Sequence, residues 1–214
     1  MKISAPVPTT TARLETLLAR ITPDFALHAR LLNTMSYMEH IGATKIARTQ
    51  SGPDADFMAL KHTAEEARHA FYLKKLSRKL LPDANPSYAF EYLLAPVASR
   101  QYLYRLDIGV SRLIRHSGLE DKALRDLAYL LVTYAIEVRA DEIYPIYQSF
   151  LQDYPVKLSV QGIINEEEGH LEEMETALSK YPEELQALKE KACELEGELY
   201  LNWLAALEGE ILEN

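Results

Sequence analysis

AEEARHA, residues 64–70, and NEEEGHL, residues 165–171, carry one signature twice: a glutamate followed three places on by a histidine, Glu66 with His69 and Glu167 with His170. In an α-helix, positions i and i+3 share a face about one turn apart, so each pair can aim a carboxylate and an imidazole at a common point. Each pair also follows a lone glutamate in an apolar helical run, Glu39 lying 27 residues before Glu66 and Glu137 lying 30 before Glu167. Counting along the chain tests whether these residues meet. Glu39 stands about 11 residues before the breaker SGPD at 51–54 and Glu66 about 12 after it, so the two fall at nearly equal depth in an antiparallel hairpin. Glu137 stands about 15 residues before the break DYP at 153–155 and Glu167 about 12 after it, a mismatch of roughly one turn.

The rest of the chain agrees with an all-α fold. Only 8 of 214 residues are glycine, and the alternating, β-branched, turn-punctuated segments of a sheet are missing. A hydrophobic share of 48% is ample for one compact domain spanning 1–214. The net charge of -9 argues against a nucleic-acid partner. One cysteine, Cys193, excludes an intramolecular disulfide and any thiolate iron centre held by this chain alone. No run approaches the ~18 apolar residues of a membrane span, and the opening MKISAPVPTT lacks the apolar core of a secretion signal. The expectation is a cytoplasmic protein without membrane attachment.

Periodicity and breakers predict a short helix from about Ala12 to Ile21 and a long helix capped by Thr22 or Asp24 and running to about Gln50. A second long helix is expected from about Asp54 to Leu81, a crossover helix from Val97 to His116, and a third long helix from Asp121 to Gln152, kinked at Pro145. A fourth runs from Val156 to Ser179, and a final helix occupies about 182–212 with Pro182 in its first turn. The 67 residues between His69 and Glu137 exceed a tight turn and join helices that lie parallel, a known bundle topology. The final helix is expected to pack outside the bundle, with a homodimer interface as the alternative.

A single Glu-x-x-His in a glutamate-rich helix reads most simply as a surface ion pair. Two of them on apolar stripes, each with a partner glutamate, read differently, because a buried carboxylate must be protonated, paired or bound to a cation. Four such carboxylates call for compensating positive charge, which two divalent ions supply with neutral imidazoles completing the set. The competing reading is a buried polar network neutralised by Arg68, Arg139 or the histidines. Oxygen ligands with two imidazoles suit iron or manganese better than a closed structural zinc site.

The order Glu39, Glu66-x-x-His69, Glu137, Glu167-x-x-His170 resembles the ferritin-like di-iron carboxylate superfamily over roughly residues 24–180. That resemblance implies a four-helix bundle with a long helical crossover, holding two iron ions, with manganese or a mixed pair as alternatives. It also implies that Glu66 and Glu167 bridge the metals, that His69 and His170 are terminal ligands, and that Glu39 and Glu137 are terminal or chelating ligands.

Around these six, Asp141 is one turn from Glu137 and is a candidate acceptor for a histidine N–H. His62 reads as a core or supporting histidine, and Tyr134 as a packing residue or a hydrogen-bond partner of a ligand. Glu65, Glu166 and Glu168 read as solvated or salt-bridged. The functional expectation is an oxidoreductase using O2 or peroxide on a small organic substrate, with electrons from a separate donor. The alternatives are a ferroxidase or iron-binding protein, and an enzyme similar to the tRNA-modifying hydroxylase, to which Arg100, Arg105, Arg112, Arg115 and Arg125 lend the only support.

Overall fold

In a computed structural model, residues 9–213 are described apart from 51, 52 and 54, and among them every regular element is helical. They are α1 (Thr10–Ile21), α2 (Phe25–Thr49), α3 (Phe57–Leu80), a 3-10 turn (Phe90–Tyr92), α4 (Pro96–Ile114), α5 (Asp121–Leu151), α6 (Gln161–Leu178), α7 (Glu183–Gln186) and α8 (Leu188–Ile211). Local chemistry sets the starts. The Asp24 carboxylate accepts from Ala26 and Leu27 N–H at 2.8 and 3.1 Å to begin α2, and Asp56 accepts from Ala59 at 3.1 Å to begin α3. Asp54, the expected start of α3, lies outside the described residues.

Helices α2 and α3 form a close antiparallel hairpin. Ser36 Oγ donates to Ala70 O at 2.6 Å and Ser77 Oγ to Ala29 O at 2.7 Å, contacts that need small residues between the backbones. Helices α5 and α6 form the second hairpin, its turn closed by Gln148, whose Oε1 accepts from Val160 N at 2.7 Å. The hairpins face each other through long polar side chains, His62 to Glu173 and His69 to Glu166 between α3 and α6, and Tyr144 to Glu39 between α5 and α2. Partner numbers fall along one helix as they rise along the other in each pair, so each of the four is antiparallel to both neighbours. The α4 crossover therefore joins helices that run parallel, as its length predicts.

Two expectations need correction. Helix α6 starts at Gln161, not Val156, because residues 156–160 form no helical turn, with Leu158 and Val160 buried and the Val160 N–H tied to Gln148. The final helix is interrupted, a single turn at 183–186 preceding α8, which packs on α1, α4 and α5 of its own chain. Helix α5 continues on both sides of Pro145.

The apolar core comes in two parts. One gathers Leu32 of α2, Leu73 and Leu76 of α3, Tyr147 and Leu151 of α5 and Ile163 of α6. The other gathers Ile46, Ala59, Leu127, Leu131 and Met174 from the opposite stretches of the same four helices. Glu39, Glu66, Glu137 and Glu167 lie between them in sequence on every one of these helices. A polar layer is thus enclosed between two apolar ones, where low dielectric raises the cost of unpaired charge.

Candidate metal centre

All six predicted positions converge. Donor atoms of Glu66, Glu137, Glu167 and His170 lie within 4.8 Å of one another, as do those of Glu39, Glu66 and His69. Glu66 belongs to both groups. Glu167 also links two partners, with one oxygen 3.0 Å from His69 Nδ1 and the other 2.8 Å from His170 Nδ1. His170 Nδ1 is in addition 3.2 Å from Glu137 Oε1. Five of the six are almost sealed from solvent, with Glu66 7%, Glu137 2%, Glu167 3%, His69 2% and His170 1% exposed, so water does little to screen their charges. Glu39 is half-buried and accepts a hydrogen bond from the Tyr144 hydroxyl.

The far nitrogens of the two histidines are held reciprocally. His69 Nε2 donates to Glu166 at 2.7 Å, and His170 Nε2 donates to Glu65 at 2.9 Å. Each acceptor immediately precedes the glutamate of the other motif and comes from the opposing helix. An ionised carboxylate only accepts, so each Nε2 carries its proton and a neutral ring keeps its lone pair on Nδ1, the nitrogen directed at the carboxylates. Glu65 and Glu166 are therefore salt-bridged, one of the two readings the sequence allowed, and because their partners include the histidines of the site they are also supporting residues. Arg68 also donates to Glu166, at 2.5 Å, and so pairs outside the cluster. Glu168 is exposed, as expected.

Electrostatics record the crowding. Burial, with Glu39, Glu137 and Glu167 nearby, pushes the Glu66 carboxyl well above the usual carboxylate range. Glu137 is pushed up in the same way, first by burial and then by its hydrogen bond with Glu167. Burial pushes Glu167 up too, but its hydrogen bonds with Glu137 and His170, and the nearby charge of His69, outweigh it and hold this carboxylate low. His170 is opposed by burial, yet its bonds to Glu137 and Glu167 raise it to about 11. Protons thus supply the countercharge in the metal-free cluster.

The residues fit a pair of divalent cations. His69 Nδ1 is a buried nitrogen without an aligned hydrogen-bond partner; its 3.0 Å approach to Glu167 is a charge contact and lacks hydrogen-bond geometry. Four carboxylates balance two divalent charges, and oxygen with imidazole is the donor set iron and manganese take. No family model, curated protein or solved structure matches this chain. The donor geometry and the space beside it therefore carry the functional argument.

A cavity of about 470 Å³ adjoins the cluster, touching Glu39, Glu66 and Glu137 and otherwise walled largely by apolar side chains such as Met35, Met38, Ile136 and Ile143. Gly42 helps to make this room; a Cβ there would stand 3.4 Å from Glu66 Oε2. On the other side, His62 is fully buried, its Nε2 2.8 Å from Glu173 and its Nδ1 2.8 Å from the Tyr129 hydroxyl, with its ring 4.4 Å from that of His170.

Neither of the remaining candidates reaches the cluster. Asp141 is exposed and holds no histidine, because Glu65 and Glu166 occupy that role. Tyr134 turns toward Glu175, 3.5 Å away. The tyrosine at the site is Tyr144, seven residues after Glu137 and hence on the same face two turns along, a spacing visible in the sequence.

Proposed function

We propose that this protein is a dinuclear metalloprotein of the ferritin-like di-iron carboxylate kind, its four site-bearing helices forming the bundle, and that it uses O2 or peroxide to oxidise a small organic substrate. The observation that carries the proposal is a buried layer of four carboxylates and two oriented imidazoles that opens onto an apolar cavity of about 470 Å³. A site that only stored or stapled metal has no need of such a cavity, whereas substrates occupy clefts of this size and character.

Glu66 and Glu167 would hold both ions, His69 and His170 one each through Nδ1, and Glu39 and Glu137 the remaining positions. Two iron ions, or manganese in the same places, supply the electron transfer to the oxidant that no side chain here provides. The chain's own residues do the rest. Glu65 and Glu166 keep each imidazole in the tautomer that leaves Nδ1 free. Glu66 and Glu137 give up their protons when cations enter, so loading releases acid. Tyr144 keeps a proton at its hydroxyl, bonded to Glu39, at the wall of the cavity. The apolar walls exclude water from the reacting face.

A second reading, an iron-oxidising protein without organic substrate, draws on an acidic depression beside Glu172, Glu173, Asp56 and Asp126. Glu173 connects it to His62, and that ring lies against His170. Anaerobic Fe(II) titration of the metal-free protein tests the site. Two tight equivalents per chain are expected, lost in Glu66→Ala and Glu167→Ala; zero or one in the unmodified protein would withdraw the dinuclear assignment. Oxygen uptake then separates the two readings. A ferroxidase consumes O2 in proportion to added Fe(II) and stops, while an oxidoreductase turns over with substrate and reductant.

A further inference from the structure

The cavity beside the cluster has two unlike ends. At one, Leu18, Leu31, Tyr147 and Trp203 are all 5% exposed or less, and the polar atoms of the two aromatic residues are engaged away from the space, Tyr147 with His28 and Trp203 with Ser99. That end is closed and apolar. The other is lined by Arg48, from the last turn of α2, and Arg125, from the start of α5, both exposed and neither with a hydrogen-bond or ion-pair partner among the described residues. Lys45, also at this end, is already paired with Asp107 and lies 4.1 Å from the centre of the Tyr104 ring. Two uncommitted guanidinium groups at one opening are notable in a chain of net charge -9.

Length and charge order point to one kind of occupant. Leu31 to Thr49 of α2 line the space, a span of ~27 Å at 1.5 Å per residue, so 470 Å³ drawn out over it suits a chain better than a compact ring system. Glu39, Glu66 and Glu137 stand midway and present carboxyl groups where an anion would need a cation, so an anionic group remains at the arginines while uncharged methylenes pass the carboxyl groups. Guanidinium pairs favour carboxylate and phosphate by planar, charge-assisted hydrogen bonds.

We propose that the cavity binds a single-chain amphiphile, its anionic head at Arg48 and Arg125 and its alkyl chain running past Glu39 and Glu66 toward Trp203. This deepens the reading of the cluster as an oxidising site for an organic substrate and rests on it for the meaning of the chain's position. Carboxylate and phosphate heads share the recognition chemistry, and the test distinguishes them.

The experiment is calorimetric titration of the metal-free full-length protein with dodecanoate, dodecyl phosphate and dodecanol, three ligands sharing one chain. At least one of the anions should bind at one per chain and tenfold or more tightly than dodecanol, the tighter anion naming the head group. Hexanoate should bind more weakly than dodecanoate, because it buries six fewer methylenes against the apolar walls. In the Arg48→Gln/Arg125→Gln variant the preference for an anion should vanish while Fe(II) stoichiometry is unchanged. Both substitutions lie at exposed positions, so folding is not at stake. Equal binding of dodecanol and both anions, no binding of any of them, or a preference that survives the double substitution would overturn the proposal. A preference for anions in a protein that fails to take up two Fe(II) leaves the amphiphile site standing and removes the dinuclear reading; two Fe(II) without amphiphile binding does the reverse.

Discussion

His69 and His170 each donate to a glutamate on the opposite helix, so the aim of Nδ1 depends on a residue that never reaches the cluster. Losing such an outer partner typically weakens metal binding 10–100-fold by freeing the ring to rotate. Glu65→Ala and Glu166→Ala should therefore each weaken Fe(II) or Mn(II) binding by about that factor without abolishing it, while Glu168→Ala leaves it unchanged. Competition titration against a chelator reads this directly, and a Glu168→Ala loss as large as the other two would contradict the assignment. His28 offers a test remote from the cluster. Fully buried in the apolar layer, it is pushed down by burial to about 4. Below pH 6.5 the unfolded chain takes up a proton that folded His28 refuses until about pH 4. Its contribution is thus complete above pH 6.5 and is lost as pH falls through that window, by about 3 kcal/mol in all. The gap in urea stability between the natural protein and His28→Gln should shrink by that order between pH 7 and pH 4; a gap constant with pH would show the ring to titrate normally.

At the scale of elements, one carboxylate ties α8 to the helices beneath it. Glu196, 2% exposed, accepts from Arg139 Nε at 3.0 Å and Nη2 at 2.8 Å, and from the Tyr102 hydroxyl of α4. The same guanidinium lies 4.0 Å from the centre of the Tyr200 ring. Removing one partner of a buried pair leaves the other charge uncompensated, at a cost of about 3–5 kcal/mol. Glu196→Ala should lower urea stability by that order, with Glu194→Ala near neutral as the control; equal effects would mean that the pair contributes nothing specific. Glu196 stands in helical step with Ala192, Tyr200, Trp203 and Leu207 on the buried face of α8, but its partner is 57 residues away on α5 and cannot be read from that spacing. The lengths of α2 and α3 were legible because apolar steps of three and four coincide there with aspartate caps and breakers, and that of α5 was legible from its apolar steps and the break at 153–155. The start of α6 was not, because an irregular segment with alternate buried residues and a side-chain clamp from Gln148 looks like one more helical turn until α5 is in place. The six converging residues could be read from spacing within each helix, whereas Glu65 and Glu166 act across helices, and only the packing reveals that.

For the molecule as a whole, the cluster divides a core that would otherwise be continuous, so the metal-free fold carries a crowded layer of carboxyl groups that bound cations would relieve. A ligand that binds only the folded chain stabilises it by RT ln(1 + [L]/Kd), about 2.7 kcal/mol at a hundredfold excess over Kd. In a chain of this size each kcal/mol moves the melting point by roughly 2–4 °C. Anaerobic Fe(II) or Mn(II) at that excess should accordingly raise the melting temperature by roughly 5–11 °C, and a chelator should return it to the metal-free value. Glu66→Gln separates this linkage from simple packing. The amide keeps the volume and hydrogen-bonding capacity of a protonated Glu66 but cannot become an anionic ligand. The metal-free variant should melt at or above the metal-free natural protein, because one carboxylate has left a crowded cluster, and the metal-induced rise should largely disappear. A variant that melts far lower without metal would show Glu66 to be a structural residue of the core. One that keeps the full metal-induced rise would place the cations away from the layer in which the four helices meet.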